Sequence, residues 1–156
     1  MCHYYPELSE AQRSSALASV LGAALSARAL CEHPEELGIR ETFVSALVNG
    51  ECLAELVKQT KNLDEGVVFN LVYALVVDCM RCRNGSPLKQ CYFAHQGPAL
   101  TNCAACVSPP KLWVLHAFIM EVEQVRQQGV AINFKLHLET LLIYWRQLFQ
   151  VMQEAQ

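Results

Sequence analysis

Hydrophobic residues along this chain recur at the three- and four-residue spacing of amphipathic helices, whereas the alternation typical of strands is scarce. Near the beginning, Ser9 precedes Gln12 at the spacing of a capping box, in which two side chains satisfy free backbone N–H groups at a helix start. The apolar stripe behind this box consists of Leu17, Val20, Leu21, Ala24 and Leu25. The pattern predicts an all-α protein.

Three more helices are predicted before position 80. Pro34 suits a first helical turn, and the segment that it opens ends at Asn49-Gly50, with Gly38 as a point where it could divide. Residues 51–61 form a short amphipathic pattern. Residues 64–79 are apolar on nearly every side, which is typical of a central helix surrounded by neighbours.

Two helices are predicted in the last third of the chain. Ser108 before two prolines marks the first start, and Gly129 marks its end. The second begins near Ala131 and carries an apolar seam. This seam either packs on the chain's own core or docks a protein partner or a second copy in a homodimer. Its predicted partner-binding residues are Phe134, Leu138, Leu141, Trp145, Leu148, Phe149 and Met152.

The composition of the chain also predicts how many domains it forms and in which cellular compartment it lies. The 156 residues, 53% hydrophobic and 17% charged, predict a single helical domain over 1–156, a bundle of about five to six helices. No apolar run approaches the roughly 18 residues of a membrane span, and the first residues lack a secretory signal pattern. We therefore expect an intracellular, reducing location, cytoplasmic or nuclear. A net charge of -3 does not favour generic binding to nucleic acid.

A cysteine-rich stretch, residues 79–106, separates the two strongly apolar helices and contains two C-x2-C pairs. Twenty residues lie between the pairs, close to the spacing of four-cysteine zinc sites. Two thiolates three positions apart can bind one ion, and a turn-rich loop can bring the second pair to complete a tetrahedron. We therefore predict an inserted zinc-binding loop over 79–106, with Cys79, Cys82, Cys103 and Cys106 as ligands.

Other ligand sets and other cysteine chemistry remain open. Cys91 and His95 are alternative ligands, since they could complete a three-cysteine, one-histidine site with the first C-x2-C pair. Redox chemistry is disfavoured for Cys79 and Cys82, because thiolates are stabilised at helix N-termini and this pair follows a predicted helix. Cys31 and Cys52 lie among apolar helical residues and are predicted to be buried.

Three functional classes follow from these observations. The favoured class is a non-enzymatic, zinc-stabilised module for protein–protein interaction or regulation. Its compact cysteine-rich format is similar to that of viral accessory proteins that act on host factors. The second is a zinc-dependent nucleic-acid-binding regulator, in which basic side chains and aromatic rings near the cysteines contact the nucleic acid. The residues concerned are Arg81, Arg83, Lys89, Tyr92 and Phe93. The third is an enzyme with an exchangeable zinc or a Cys91 nucleophile, although no hydrolase, phosphate-binding or metalloprotease motif occurs.

Overall fold

The computed structural model describes residues 9–131 and 133–149, and in these ranges the chain is helical without strands. Its elements are α1 Glu10–Ser19, α2 Ala24–Cys31, α3 Pro34–Val48, α4 Leu53–Thr60, α5 Glu65–Arg83, α6 Gly97–Cys106, α7 Pro109–Gln127 and α8 Phe134–Gln147, with short 3-10 turns at Leu88–Gln90 and Ala94–Gln96. The all-α prediction is confirmed. The predicted number of about five to six helices is wrong, because the described part of the chain forms eight α-helices.

One of the two additional helices, α2, arises at the N-terminal end. The capping box is present: Ser9 Oγ accepts from the Gln12 N–H, and Gln12 Oε1 accepts from the Ser9 N–H. The apolar stripe nevertheless does not form one helix, because the backbone turns left-handed at Leu21 (φ 54°) and Gly22 (φ 83°). The Gly22 N–H donates to the carbonyl oxygen of Leu17 at 2.8 Å and closes α1. Leu25 consequently lies 83% exposed on α2.

The central position predicted for residues 64–79 is confirmed by α5. This helix packs against α1, α3, α6, α7 and α8. Its buried side chains include Val68, Leu71, Val72, Leu75 and Val76, each fully shielded from solvent. The predicted break of the preceding segment at Gly38 does not occur, since α3 continues through it to Val48. A second, smaller cluster of buried hydrophobic side chains joins α1, α2 and α3. It contains Ala16, Ala27, Leu30, Cys31 and Leu37.

The stretch 79–106 is more ordered than a loop. The helix α5 runs through Cys79 and Cys82 as far as Arg83, and α6 begins at Gly97 with a proline in its first turn. Leu100, Cys103 and Ala104 of α6 lie in the main hydrophobic core. Most of the second half of the stretch is therefore a core helix, because its apolar residues recur at positions 100, 103, 104 and 107.

Among the described residues, no single helix has both the length and the apolar character needed to cross a membrane. Residues 94–106 and 109–127 meet that requirement only when they are taken together, and they are bent by 107° at their junction.

Candidate functional site

The cysteines of the interval 79–106 form two close pairs that differ from the two C-x2-C motifs. The sulfur atoms of Cys79 and Cys103 are 3.9 Å apart, and those of Cys82 and Cys91 are 3.8 Å apart. Each pair joins α5 to a later segment of the chain. Cys106, the last residue of α6, is exposed instead.

These positions do not reproduce the predicted four-ligand zinc site. Over residues 9–131 and 133–149, no group of three or more cysteine, histidine, aspartate or glutamate side chains is arranged to hold a metal ion. Neither Cys106 in the preferred set nor His95 in the rival set completes a tetrahedron. The neighbouring Cys103 sulfur and burial raise the pKa of the Cys79 thiol well above its usual value. The described residues therefore give no support for the predicted zinc.

A buried carboxylate fixes the chain beside these cysteines. Asp78 is fully shielded from solvent, and its two oxygens accept the backbone N–H groups of Tyr92 and Phe93, each at 2.8 Å. Burial raises the pKa of Asp78, and the two N–H donors and the Arg81 guanidinium partly oppose this shift. Asp78 therefore anchors the segment after Cys91 to the end of α5.

The cations and rings of the predicted nucleic-acid surface are largely engaged within the chain. The Arg81 guanidinium donates to the carbonyl oxygen of Gln90 at 2.8 Å and lies 5.0 Å from the centre of the Tyr92 ring. Arg83 donates to the carbonyl oxygens of Ala104 and Val107 at 2.8 and 3.1 Å. Phe93 is 1% exposed. These contacts bind the stretch 79–106 together, while Lys89 remains exposed.

Cys31, Cys52 and Cys91 differ in how far they are buried and in what this implies for their thiols. Cys31 is buried as predicted, but Cys52 is exposed, because it precedes the first turn of α4 and lies outside the helix's apolar face. Burial, together with the Asp78 carboxylate and the Cys82 sulfur, raises the pKa of Cys91 to about 12. A thiol with such a pKa is a poor nucleophile at neutral pH.

The apolar seam of α8 lies against the chain's own core. Leu141, Trp145 and Leu148 are at most 1% exposed, and Phe134, Leu138 and Phe149 are partly buried against the same cluster. The Trp145 indole N–H donates to the carbonyl oxygen of Leu47 at 3.2 Å. Met152 lies outside the described residues. The packing corresponds to the intramolecular alternative of the sequence analysis.

A different helix presents apolar side chains to solvent. On α7, Trp113 is 62% exposed, Val114 59% and Met120 47%, and the exposed Ala117 lies between them. We call these four residues the α7 face. Their spacing of one, three and three positions places them on one side of the helix. These apolar residues are visible in the sequence. Because the residues of α7 are apolar almost all round the helix, however, the sequence does not distinguish its exposed side from its buried side.

A concave surface continues from the α7 face toward the N-terminal helices. It encloses a volume of about 230 Å³ and is lined by Leu21, Phe69, Asn70, Tyr73, Ile119, Met120 and Glu123. Tyr73 also contacts the His116 ring, which in turn meets Trp113 edge-on, with ring centres 5.9 and 6.0 Å apart. An aromatic ridge therefore borders the groove.

Comparison with known protein families gives a match to most of the chain. The model described as "DNA polymerase III, delta subunit, C terminal" matches residues 34–147, which run from α3 to the end of α8. No curated protein and no solved structure matches the chain. The family match overturns the predicted function as a zinc-stabilised regulator of viral accessory type.

Proposed function

Because the chain belongs to the family formed by the C-terminal domain of the DNA polymerase III delta subunit, we propose that it is a protein-binding domain of a clamp-loader-related assembly in DNA replication. The observation that carries this proposal is the match over residues 34–147, which includes the helices that build the main core. In this role the chain binds other subunits and catalyses no reaction itself. It acts inside the cell, where the replication machinery is.

The α7 face is the surface that we assign to this contact. A neighbouring subunit of the same assembly, presenting an apolar helix or groove, would cover Trp113, Val114 and Met120. Large apolar side chains that are exposed together on one helix contribute most to binding when a partner desolvates them. The buried seam of α8 supports the fold beneath this face, since α7 packs directly on α8.

Purified clamp-loader subunits from the same organism, mixed singly and together with this chain, provide the test. Size-exclusion chromatography with light scattering and native mass spectrometry would detect the complex. We expect the wild-type chain to co-elute with at least one subunit, and Trp113→Glu or Met120→Glu to weaken that association by at least about tenfold, because each buries a charge in an apolar contact.

Leu25→Glu is the matched control, because it introduces the same charge at an 83% exposed leucine far along the chain from α7. It should leave binding unchanged. A wild-type chain that associates with none of the subunits would overturn the clamp-loader role. Association that survives both α7 substitutions would overturn only the assignment of the surface.

A further inference from the structure

The pair Cys82 and Cys91 lies where a small reagent can reach it. Cys82 is partly exposed and lines a surface cleft of about 250 Å³ together with Arg83, Thr101 and Ala105. Its sulfur is 3.8 Å from that of Cys91, which is 7% exposed. One thiol is thus accessible from solvent, and the other lies directly behind it.

Contacts on both sides of Cys91 hold it in this position. On the side before it, the Arg81 guanidinium donates to the carbonyl oxygen of Gln90. On the side after it, the Asp78 carboxylate accepts the N–H groups of Tyr92 and Phe93. Because both anchors belong to α5, Cys91 cannot move far from Cys82 on the same helix. Such a fixed approach gives a high effective concentration of one thiol beside the other.

We propose that Cys82 and Cys91 form a thiol modification site, which hydrogen peroxide converts to an intrachain disulfide. The Cys82 sulfur attacks one peroxide oxygen, the O–O bond breaks, and hydroxide leaves and is protonated to water, which gives a sulfenic acid. Although its raised pKa makes Cys91 a poor nucleophile toward reagents in solution, its fixed position beside Cys82 gives it a high effective concentration at this one sulfur. As Cys91 attacks, its thiol gives up its proton, the S–O bond breaks, and the released hydroxide takes up a proton and leaves as a second water. Two thiols lose two electrons in total, and one peroxide is reduced to two waters.

The geometry distinguishes this pair from its neighbour. Cys79 and Cys103 are almost as close, at 3.9 Å, but they are 0% and 3% exposed and sealed in the main core. Their burial shields both sulfur atoms from an oxidant in solvent. For the outer pair, rotation of the side chains has to shorten the sulfur separation to about 2.0 Å.

The test exposes the whole chain to hydrogen peroxide, blocks free thiols with N-ethylmaleimide, denatures the protein and digests it with trypsin and chymotrypsin. These enzymes separate Cys82-Arg83 and Gln90-Cys91-Tyr92 from the peptide that carries Cys103 and Cys106. We expect a linked product of the two short peptides, absent after reduction with dithiothreitol. Because the disulfide closes a short loop, the melting temperature should rise by roughly 5 °C on oxidation.

Cys82→Ser and Cys91→Ser should each lose both the linked product and the thermal shift, whereas Cys106→Ser, a control at an exposed thiol, should keep them. Peptide mapping of the wild-type chain decides the matter even if a serine variant folds poorly. Over-oxidation of Cys82 without a link, a link through Cys79 or Cys103, or an unlinked pair under conditions that oxidise Cys52 and Cys106 would each overturn the proposal.

Discussion

The indole N–H of Trp145 on α8 donates to the carbonyl oxygen of Leu47 near the end of α3, across 98 positions of the chain. Trp145 is 1% exposed, and the same carbonyl oxygen also accepts the N–H of Gly50 at 3.2 Å. This bond joins the first and last helices of the region that matches the family. The bond therefore links α8 to the end of α3 within the main core.

Trp145→Phe should lower the free energy of unfolding by about 1–3 kcal/mol. The change removes the hydrogen bond and leaves a small cavity, but the carbonyl of Leu47 keeps its bond to Gly50. Urea unfolding followed by circular dichroism measures the loss. Ile143→Ala on the same helix, where the side chain is 41% exposed, should change stability by about 0.5 kcal/mol or less. Equal effects at both positions would contradict the assigned role of Trp145.

Asp78→Asn should destabilise the protein by about 2–4 kcal/mol, because an amide offers one acceptor oxygen where two backbone N–H groups now bind, and its NH2 group meets a donor. Hydrogen exchange resolved by residue provides the second readout: the amides of Tyr92 and Phe93 should exchange faster. Glu121→Gln, at an exposed carboxylate of α7, is the control and should change neither the free energy of unfolding nor the exchange of these two amides. Unchanged protection of both amides in Asp78→Asn would show that the carboxylate does not anchor this segment.

Alanine substitution should have opposite effects on the stability of the protein at two glycines, Gly22 and Gly38. Gly22 has a φ of 83°, so Gly22→Ala should cost about 1 kcal/mol through left-handed strain, although no atom obstructs the new methyl group. Gly38 lies inside α3 with open space around it, and Gly38→Ala should stabilise the protein by about 0.5–1 kcal/mol. Thermal or urea unfolding of both variants checks the signs. A destabilising Gly38→Ala would contradict an uninterrupted α3.

Alkylation of the native protein should separate the cysteines by burial. Iodoacetamide should modify the exposed Cys52 and Cys106 at least about tenfold faster than Cys79 and Cys103, which react only when the structure opens. Cys103 and Cys106 lie on the same helix and serve as an internal comparison. Mass spectrometry of the digested peptides measures each rate separately. Similar rates for this neighbouring pair would show that α6 does not pack as described.

Local patterns determined most of the helices. Ser9 and Gln12 capped α1, Pro34 opened α3, and the continuous apolar character of residues 64–79 identified α5 as central. Each of these signals acts over a few positions, through backbone hydrogen bonding at a helix end or through apolar periodicity. The break at Leu21 and Gly22 was harder to recognise, since apolar spacing continues across it and only the left-handed backbone interrupts the helix.

The tertiary structure decided which of these residues meet. Sequence spacing grouped Cys79 with Cys82 and Cys103 with Cys106, but the packing of α5 against α6 places Cys79 beside Cys103, and the anchor at Asp78 places Cys91 beside Cys82. In the same way, α7 and α8 both carry long apolar stripes, and only their positions around α5 expose Trp113 and bury Trp145. Spacing along a helix specifies a face, whereas the neighbour that covers this face depends on contacts between distant parts of the chain.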